Sequence, residues 1–125
     1  ARRSFDEHLA LGAALAPLRD EGVLVFASGN VVHNLRLIDW GAPGEGAPWA
    51  HALDDAGRAL MTTAPERIGE LAAHEHFQRA APSPDHFVPL LYTAGLAAAA
   101  GTTAEVLVGG YDFGSLSMTS YVVRD

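Results

Sequence analysis

These 125 residues contain no cysteine and no lysine. The first absence excludes thiolate metal sites, disulfides and cysteine nucleophiles. The second excludes Schiff-base and lysine-nucleophile chemistry within the chain. Positive charge is scarce: all eight basic residues are arginine, against fifteen acidic ones, for a formal net charge of −7. Phosphate recognition needs a basic stripe, so nucleic acid is excluded as a partner. Apolar runs are short. None approaches the roughly 20 residues that span a bilayer, and the longest candidate, Leu96–Ala100, is mostly alanine; no membrane role is expected. The opening ARRSFDEH lacks Met and the apolar centre of a signal peptide. The expected location is therefore cytoplasmic, and the chain reads as cut from something longer. With thiolate excluded, any transition metal must rest on histidine and carboxylate.

What remains is a globular composition, 49% hydrophobic and 18% charged, of a length that suits one domain. Ser4-Phe5-Asp6-Glu7 is a capping box, and Leu11, Leu15 and Leu18 follow at helical spacing. A helix is expected from Phe5 to about Asp20, kinked at Pro17 and stopped by Gly22. Val23–Ala27 is an unbroken apolar run, expected to be a strand buried on both faces, as in a parallel sheet. Gly41–Pro48 is a loop, and Trp49, Leu53, Ala56 and Leu60 mark a helix. Thr63–Glu66 reads as a second capping box opening a helix to about Phe77. Ser83 and Pro84 read as the N-cap and first residue of another, which places His86 in its first turn. Ala104–Gly110 reads as a strand. Ser115–Val123 alternates, with Leu116, Met118 and Val122 on one side and Ser115, Ser117, Thr119 and Tyr121 on the other: a half-exposed edge strand.

Six histidines carry the titratable chemistry. His8 and His51 sit among charged residues on helices and read as surface. His74 and His76, two apart on a helix, point to opposite sides and cannot share an ion. His33 follows the end of the Val23–Ala27 run, where ligands bind in open α/β sheets, with Ser28, Asn30 and Asn34 around it. An ordinary surface turn fits those residues equally well. His86, at a helix start, would meet the positive end of the helix dipole, which favours the neutral imidazole that binds metals. No HExxH, GxSxG, P-loop or GxGxxG pattern is present, and GGYDFGS (Gly109–Ser115) reads as a loop.

Three segments taken together carry more. LGAALAPLRDEGVLVFASGNVVHNLR (Leu11–Arg36), APSPDHFVPLLYTAG (Ala81–Gly95) and GSLSMTSYVV (Gly114–Val123) resemble the C-terminal part of the class III, LigB-like extradiol ring-cleavage dioxygenases of DOPA type. That family's pattern is SG-x-x-x-HN-LR, then HP-x-P-(D/E)-HF-x-PL, then a closing S-x-S strand. The resemblance covers nearly all 125 residues and implies an α/β fold with a mostly parallel sheet flanked by helices. This chain would be the C-terminal part of a single catalytic domain, residues 1–125, partnered by a missing N-terminal half. It also implies cleavage of a catechol-type aromatic with O₂ at a non-haem metal: Fe(II) for activity, with Zn(II) as another ion bound at that site. His86 matches a metal ligand. His33 matches the acid–base catalyst beside the metal, and an additional ligand. Ser28 and Asn34 would orient His33, and Tyr121, with Ser115 and Ser117, would face substrate. The remaining ligands belong to the family's N-terminal half, and Ala81 stands where the family has histidine. An inactive LigB-like binding module and a zinc-dependent hydrolase on the same scaffold are the rival expectations. The oligomeric state is not set by these residues.

Overall fold

The computed structural model describes residues 3–124. Helix α1 (Phe5–Ala14) begins with the expected capping box: Glu7 N–H donates to Ser4 Oγ at 3.2 Å, and Ser4 N–H donates to the Glu7 carboxylate at 2.6 Å. The expected single helix to Asp20 is instead two. Pro17 has no N–H to give the helix and its ring would strike the carbonyl four residues back, so α1 stops and α2 (Pro17–Asp20) restarts with Pro17 in its first turn. Gly22, at φ +76°, then turns the chain away, a backbone state that costs glycine little.

Helix α3 (Pro48–Thr63) keeps the predicted spacing and buries Trp49, Leu53 and Met61. The second predicted capping box does not form. Thr63 is the last residue of α3, its hydroxyl donating back to Ala59 O at 2.6 Å, and Pro65–Ala73 winds as 3-10 turns. Helix α4 (Phe77–Ala80) follows. Helix α5 (Val88–Ala99) starts later than expected: Phe87 and Val88 both donate to Pro84 O, so Ser83–His86 forms a turn ahead of the helix. His86 is therefore outside the first helical turn, and the dipole argument for it falls away.

Helix α1 lies against α5 at two glycines, Gly12 and Gly95. A methyl on either would overlap main-chain atoms of the facing helix. The core is filled by Leu53, Met61, Ile68, Leu71 and Leu91, with the rings of Phe5, Phe77 and Phe87 meeting at centroid distances of 5.0–6.0 Å.

The described strands pair antiparallel rather than in the expected mostly parallel sheet. β1 (Glu105–Val108) pairs with β4 (Ser120–Val122), and β2 (Tyr111–Asp112) with β3 (Leu116–Ser117). Val23–Ala27 is not a strand. It runs extended, but no main-chain hydrogen bond joins Leu24–Gly29 to another segment among the described residues, and Leu24 and Phe26 are 86% and 83% exposed. A strand exists through its ladder, and here no ladder partner is present. The alternation of Ser115–Val123 holds, but the small polar side faces inward: Ser115, Ser117 and Thr119 are buried while Met118 is exposed.

Candidate active site

The two motif histidines come together. His33 and His86, far apart in sequence, lie with ring centroids 4.9 Å apart. The segment leading to His33 is held across to β3: Asn30 Nδ2 donates to Ser117 O at 2.6 Å, Val32 N–H donates to Ser117 Oγ at 3.3 Å, and Ser117 N–H returns to Val32 O. His33 N–H then donates to Ala80 O at 2.8 Å and Asn34 N–H to Ser115 O. Ser117 thus faces inward to bond Asn30 and Val32, while the buried Ser115 hydroxyl has no protein partner.

His33 is buried, whereas His86 is exposed on its turn. Phe87, fully buried, anchors that turn from beneath. Gly29 sets its height: a methyl there would overlap the His86 carbonyl oxygen and lie 3.0 Å from its carbon. The glycine of the SG motif is thus needed for close approach of the second motif to the first.

The His33 ring is fixed at both nitrogens. Nδ1 lies 2.9 Å from Asn30 O and Nε2 lies 3.0 Å from Ser83 O. Carbonyl oxygens only accept, so each contact needs an N–H on that nitrogen; a neutral ring serves one of them, and a ring that has taken up a proton serves both. Neither nitrogen turns a lone pair toward open space in this arrangement. Accepting a proton from a bound molecule and ligating a metal both use a nitrogen lone pair, so either role needs the ring to turn off one of these carbonyls.

Ser28 and Asn34 make no hydrogen bond to His33. Asn34 holds the turns beside it instead: Oδ1 accepts from Arg36 N–H at 3.1 Å, and Nδ2 donates at 2.6 Å to the carbonyl of Arg79, whose guanidinium lies 4.8 Å from the Trp49 ring centre. The groups that orient His33 are main-chain carbonyls of Asn30 and Ser83, which no side-chain motif advertises. Ser28 and Tyr121 both line a groove of about 610 Å³ between Val23–Val31 and Thr119–Val123. The Tyr121 hydroxyl turns away from that groove toward Gly57 on α3 and has no protein partner.

Behind the groove is a buried polar cluster that sequence reasoning missed. Asp54, fully buried on α3, accepts through Oδ2 from Arg58 Nε at 2.8 Å, Thr119 Oγ1 at 2.7 Å and the Tyr111 hydroxyl at 3.1 Å; Arg58 also donates to Thr119 at 2.9 Å. Burial, then the Asp54 charge, pushes both the Tyr111 and Tyr121 hydroxyls well above the ordinary tyrosine value. Its only sequence signal was the Asp-x-x-x-Arg spacing within α3, which reads equally as a surface pair.

Two expectations for the other histidines are corrected: His8 is not at the surface, and His74 and His76 lie on a turn rather than a helix, with ring centroids 5.6 Å apart instead of on opposite sides. His8 is half-buried and paired with the Tyr92 hydroxyl at 3.1 Å; His51 is exposed, its ring on Tyr111; His74 accepts the His76 N–H at 3.1 Å. Among the described residues no three His, Asp or Glu side chains converge to hold a metal ion. His86 and His33 fit a metal only as part of a donor set whose other members come from outside these residues. No described helix is long and apolar enough to cross a membrane.

The family resemblance and the fold agree with what comparison finds. The chain matches, over residues 1–124, the family described as the catalytic LigB subunit of aromatic ring-opening dioxygenase, and it belongs to that family. Among its relatives, the protein named 4,5-DOPA dioxygenase extradiol of Escherichia coli (strain K12) is 38% identical over 117 residues, which are 90% of this chain and 43% of the relative. The protein of the same name from Beta vulgaris is 38% identical, covering 91% and 42%. The crystal structure of an uncharacterized protein of Escherichia coli K12 superposes with a TM-score of 0.85 at 36% identity, covering 95% of this chain and 50% of that one. The chain thus spans less than half the length of these curated relatives.

Proposed function

We propose that this chain is the C-terminal part of a single catalytic domain that opens catechol-type, DOPA-like aromatic rings with O₂ on the extradiol side. The observation that carries the reading is the convergence of His33 and His86, each from its own LigB motif, to 4.9 Å between ring centroids. His86, exposed on a turn and free to rotate, is assigned as a ligand to a non-haem metal, Fe(II) for activity, with Zn(II) as an ion the same donors accept. When bound, that metal supplies chelation of the catecholate and activation of O₂. His33 is assigned as the acid–base group; both its nitrogens face main-chain carbonyls, so its ring turns off one of them to present a nitrogen lone pair to a catechol hydroxyl. A second role as a ligand to the metal needs the same turn of the ring. Ser28 and Tyr121, on the groove, are assigned to the substrate side, and Asn34 to holding the turn that follows His33.

The remaining donors belong to the part of the domain outside this chain, which in relatives is more than half their length. The mostly parallel sheet is assembled only with that part in place. The isolated chain is therefore expected to bind metal weakly and to turn over no catechol. The test is anaerobic Fe(II) loading of the completed domain followed by oxygen uptake with a catechol panel. Uptake and a ring-opened product with Fe(II), but not with Zn(II), support the reading. No uptake with any catechol leaves the inactive binding module, and hydrolysis restored by Zn(II) alone leaves the hydrolase.

A further inference from the structure

We infer that Asn30 is the positioning residue for His33: its side-chain amide fixes the main-chain carbonyl on which Nδ1–H stays, so that Nε2, facing Ser83, is the nitrogen that meets substrate. The inference rests on the acid–base reading of His33 above and deepens it.

The two contacts of the ring are alike in length, 2.9 Å from Nδ1 to Asn30 O and 3.0 Å from Nε2 to Ser83 O, but not in how firmly the acceptor is held. Asn30 belongs to the ring's own turn, three residues before His33. Its Nδ2 donates to Ser117 O at 2.6 Å, and two residues on Val32 N–H donates to Ser117 Oγ while Ser117 N–H donates to Val32 O. Three hydrogen bonds thus staple residues 30–32 to β3, at a serine that is itself buried. Any residue type could offer the carbonyl; the Asn30 amide fixes where it stands. Ser83 is held differently. It lies in the turn ahead of α5, where Pro82, Asp85 and His86 are exposed, and among the described residues Ser83, Asp85 and His86 donate no main-chain hydrogen bond.

A neutral imidazole carries one N–H and one lone pair. With the hydrogen on Nε2, the Nδ1 lone pair is pressed against Asn30 O, an acceptor clamped in place. With the hydrogen on Nδ1, the Nε2 lone pair faces Ser83 O, and that contact can give way. The hydrogen bond made by one ring nitrogen sets the role of the other, so the clamp selects Nδ1–H and leaves Nε2 as the base. Ser83 is three residues from His86, so Nε2 points to the segment that carries the assigned metal ligand, whereas Nδ1 points back into its own turn. When a catechol hydroxyl meets Nε2, the O–H bond breaks with its electron pair left on the catechol oxygen, and the proton bonds to the Nε2 lone pair. Ser83 O is then in reach to accept the new N–H, with Asn30 O still holding the other. Without the Asn30 amide the carbonyl shifts, both tautomers are populated, and part of the population presents an N–H where a lone pair is needed.

The test reads the ring itself, in the completed domain held metal-free and isotopically labelled at its histidine nitrogens, at about pH 9, where an ordinary imidazole is neutral. Nitrogen–proton correlation spectra distinguish the two tautomers, and the His33 signals are those missing from His33→Ala. The expected result is an Nδ1–H ring in the unsubstituted domain and loss of that preference, to a mixture of tautomers, in Asn30→Ala. A merely structural role for Asn30 would lower the thermal midpoint and leave the tautomer alone. In the Fe(II)-loaded domain the same substitution should lower kcat about tenfold or more, while metal content is kept and KM for the catechol stays within about twofold. An Nε2–H ring in the unsubstituted domain, an Nδ1–H ring indifferent to the substitution, or an unchanged kcat overturns the inference. If Asn30→Ala fails to fold, Asn30→Asp, which keeps the shape and loses the donor, replaces it, and the unsubstituted ring alone still decides the nitrogen. The tautomer requires neither metal nor turnover, so an Nδ1–H ring that depends on Asn30, in a domain that opens no catechol, counts against the dioxygenase reading and leaves the Asn30 anchor standing.

Discussion

Gly29 and Tyr121 show how much single residues decide here. A Cβ at Gly29 would overlap the His86 carbonyl oxygen, so Gly29→Ala must push the His86 turn away from His33. Overpacking of this kind costs about 1–3 kcal/mol, and denaturant unfolding of the variant should register that loss. Tyr121 behaves in the opposite sense. Its hydroxyl is buried without a protein partner, so Tyr121→Phe should be neutral or stabilising by up to about 1 kcal/mol at neutral pH; a loss well beyond that would mean the hydroxyl is satisfied in solution. At this scale the sequence identified His33 and His86 through their motifs. It did not reveal what holds His33, because any residue type can supply a main-chain carbonyl, and Asn30 and Ser83 do so irrespective of their side chains.

Between elements, Asp54 ties α3 to the chain between β3 and β4 through Thr119 and to β2 through Tyr111. Removing it leaves Arg58, Thr119 and Tyr111 without their shared acceptor. Asp54→Ala should destabilise by about 2–3 kcal/mol, because Arg58 is partly exposed and keeps some solvation. The same cluster sets an alkaline limit. Tyr111 and Tyr121 have raised values in the folded chain, so their contribution is complete below the unfolded tyrosine value of about 10 and is lost as pH rises from there through the raised folded values. The thermal midpoint should fall progressively above about pH 10, and less so in Tyr121→Phe. Helix α3 was legible because Trp49, Leu53, Ala56 and Leu60 repeat at helical spacing over about three turns. The Thr63 cap was misread because the threonine hydroxyl bonds backward to Ala59 and extends α3 rather than opening a new helix. The break at Pro17 was legible as a kink, and its steric clash made it a full stop.

For the whole molecule, the misplaced expectation is the most informative. Val23–Ala27 has the composition of a buried strand and is exposed, because a strand's burial is a property of its neighbours and none pairs with it among the described residues. The expected parallel sheet is not formed by the described strands for the same reason: composition can mark a strand, but pairing and direction require both partners. Among the described residues no third His, Asp or Glu joins the histidine pair to hold a metal ion. Fold, exposed run and site all point to a LigB domain completed from beyond these residues. The measurement that tests this most directly is oxygen uptake by the completed, Fe(II)-loaded domain with a DOPA-like catechol, alongside His33→Ala and His86→Ala and their metal content. The account predicts ring-opening turnover in the unsubstituted domain, loss of turnover with metal retained in His33→Ala, and loss of metal in His86→Ala. Normal turnover in His33→Ala, or full metal retention in His86→Ala, would contradict it.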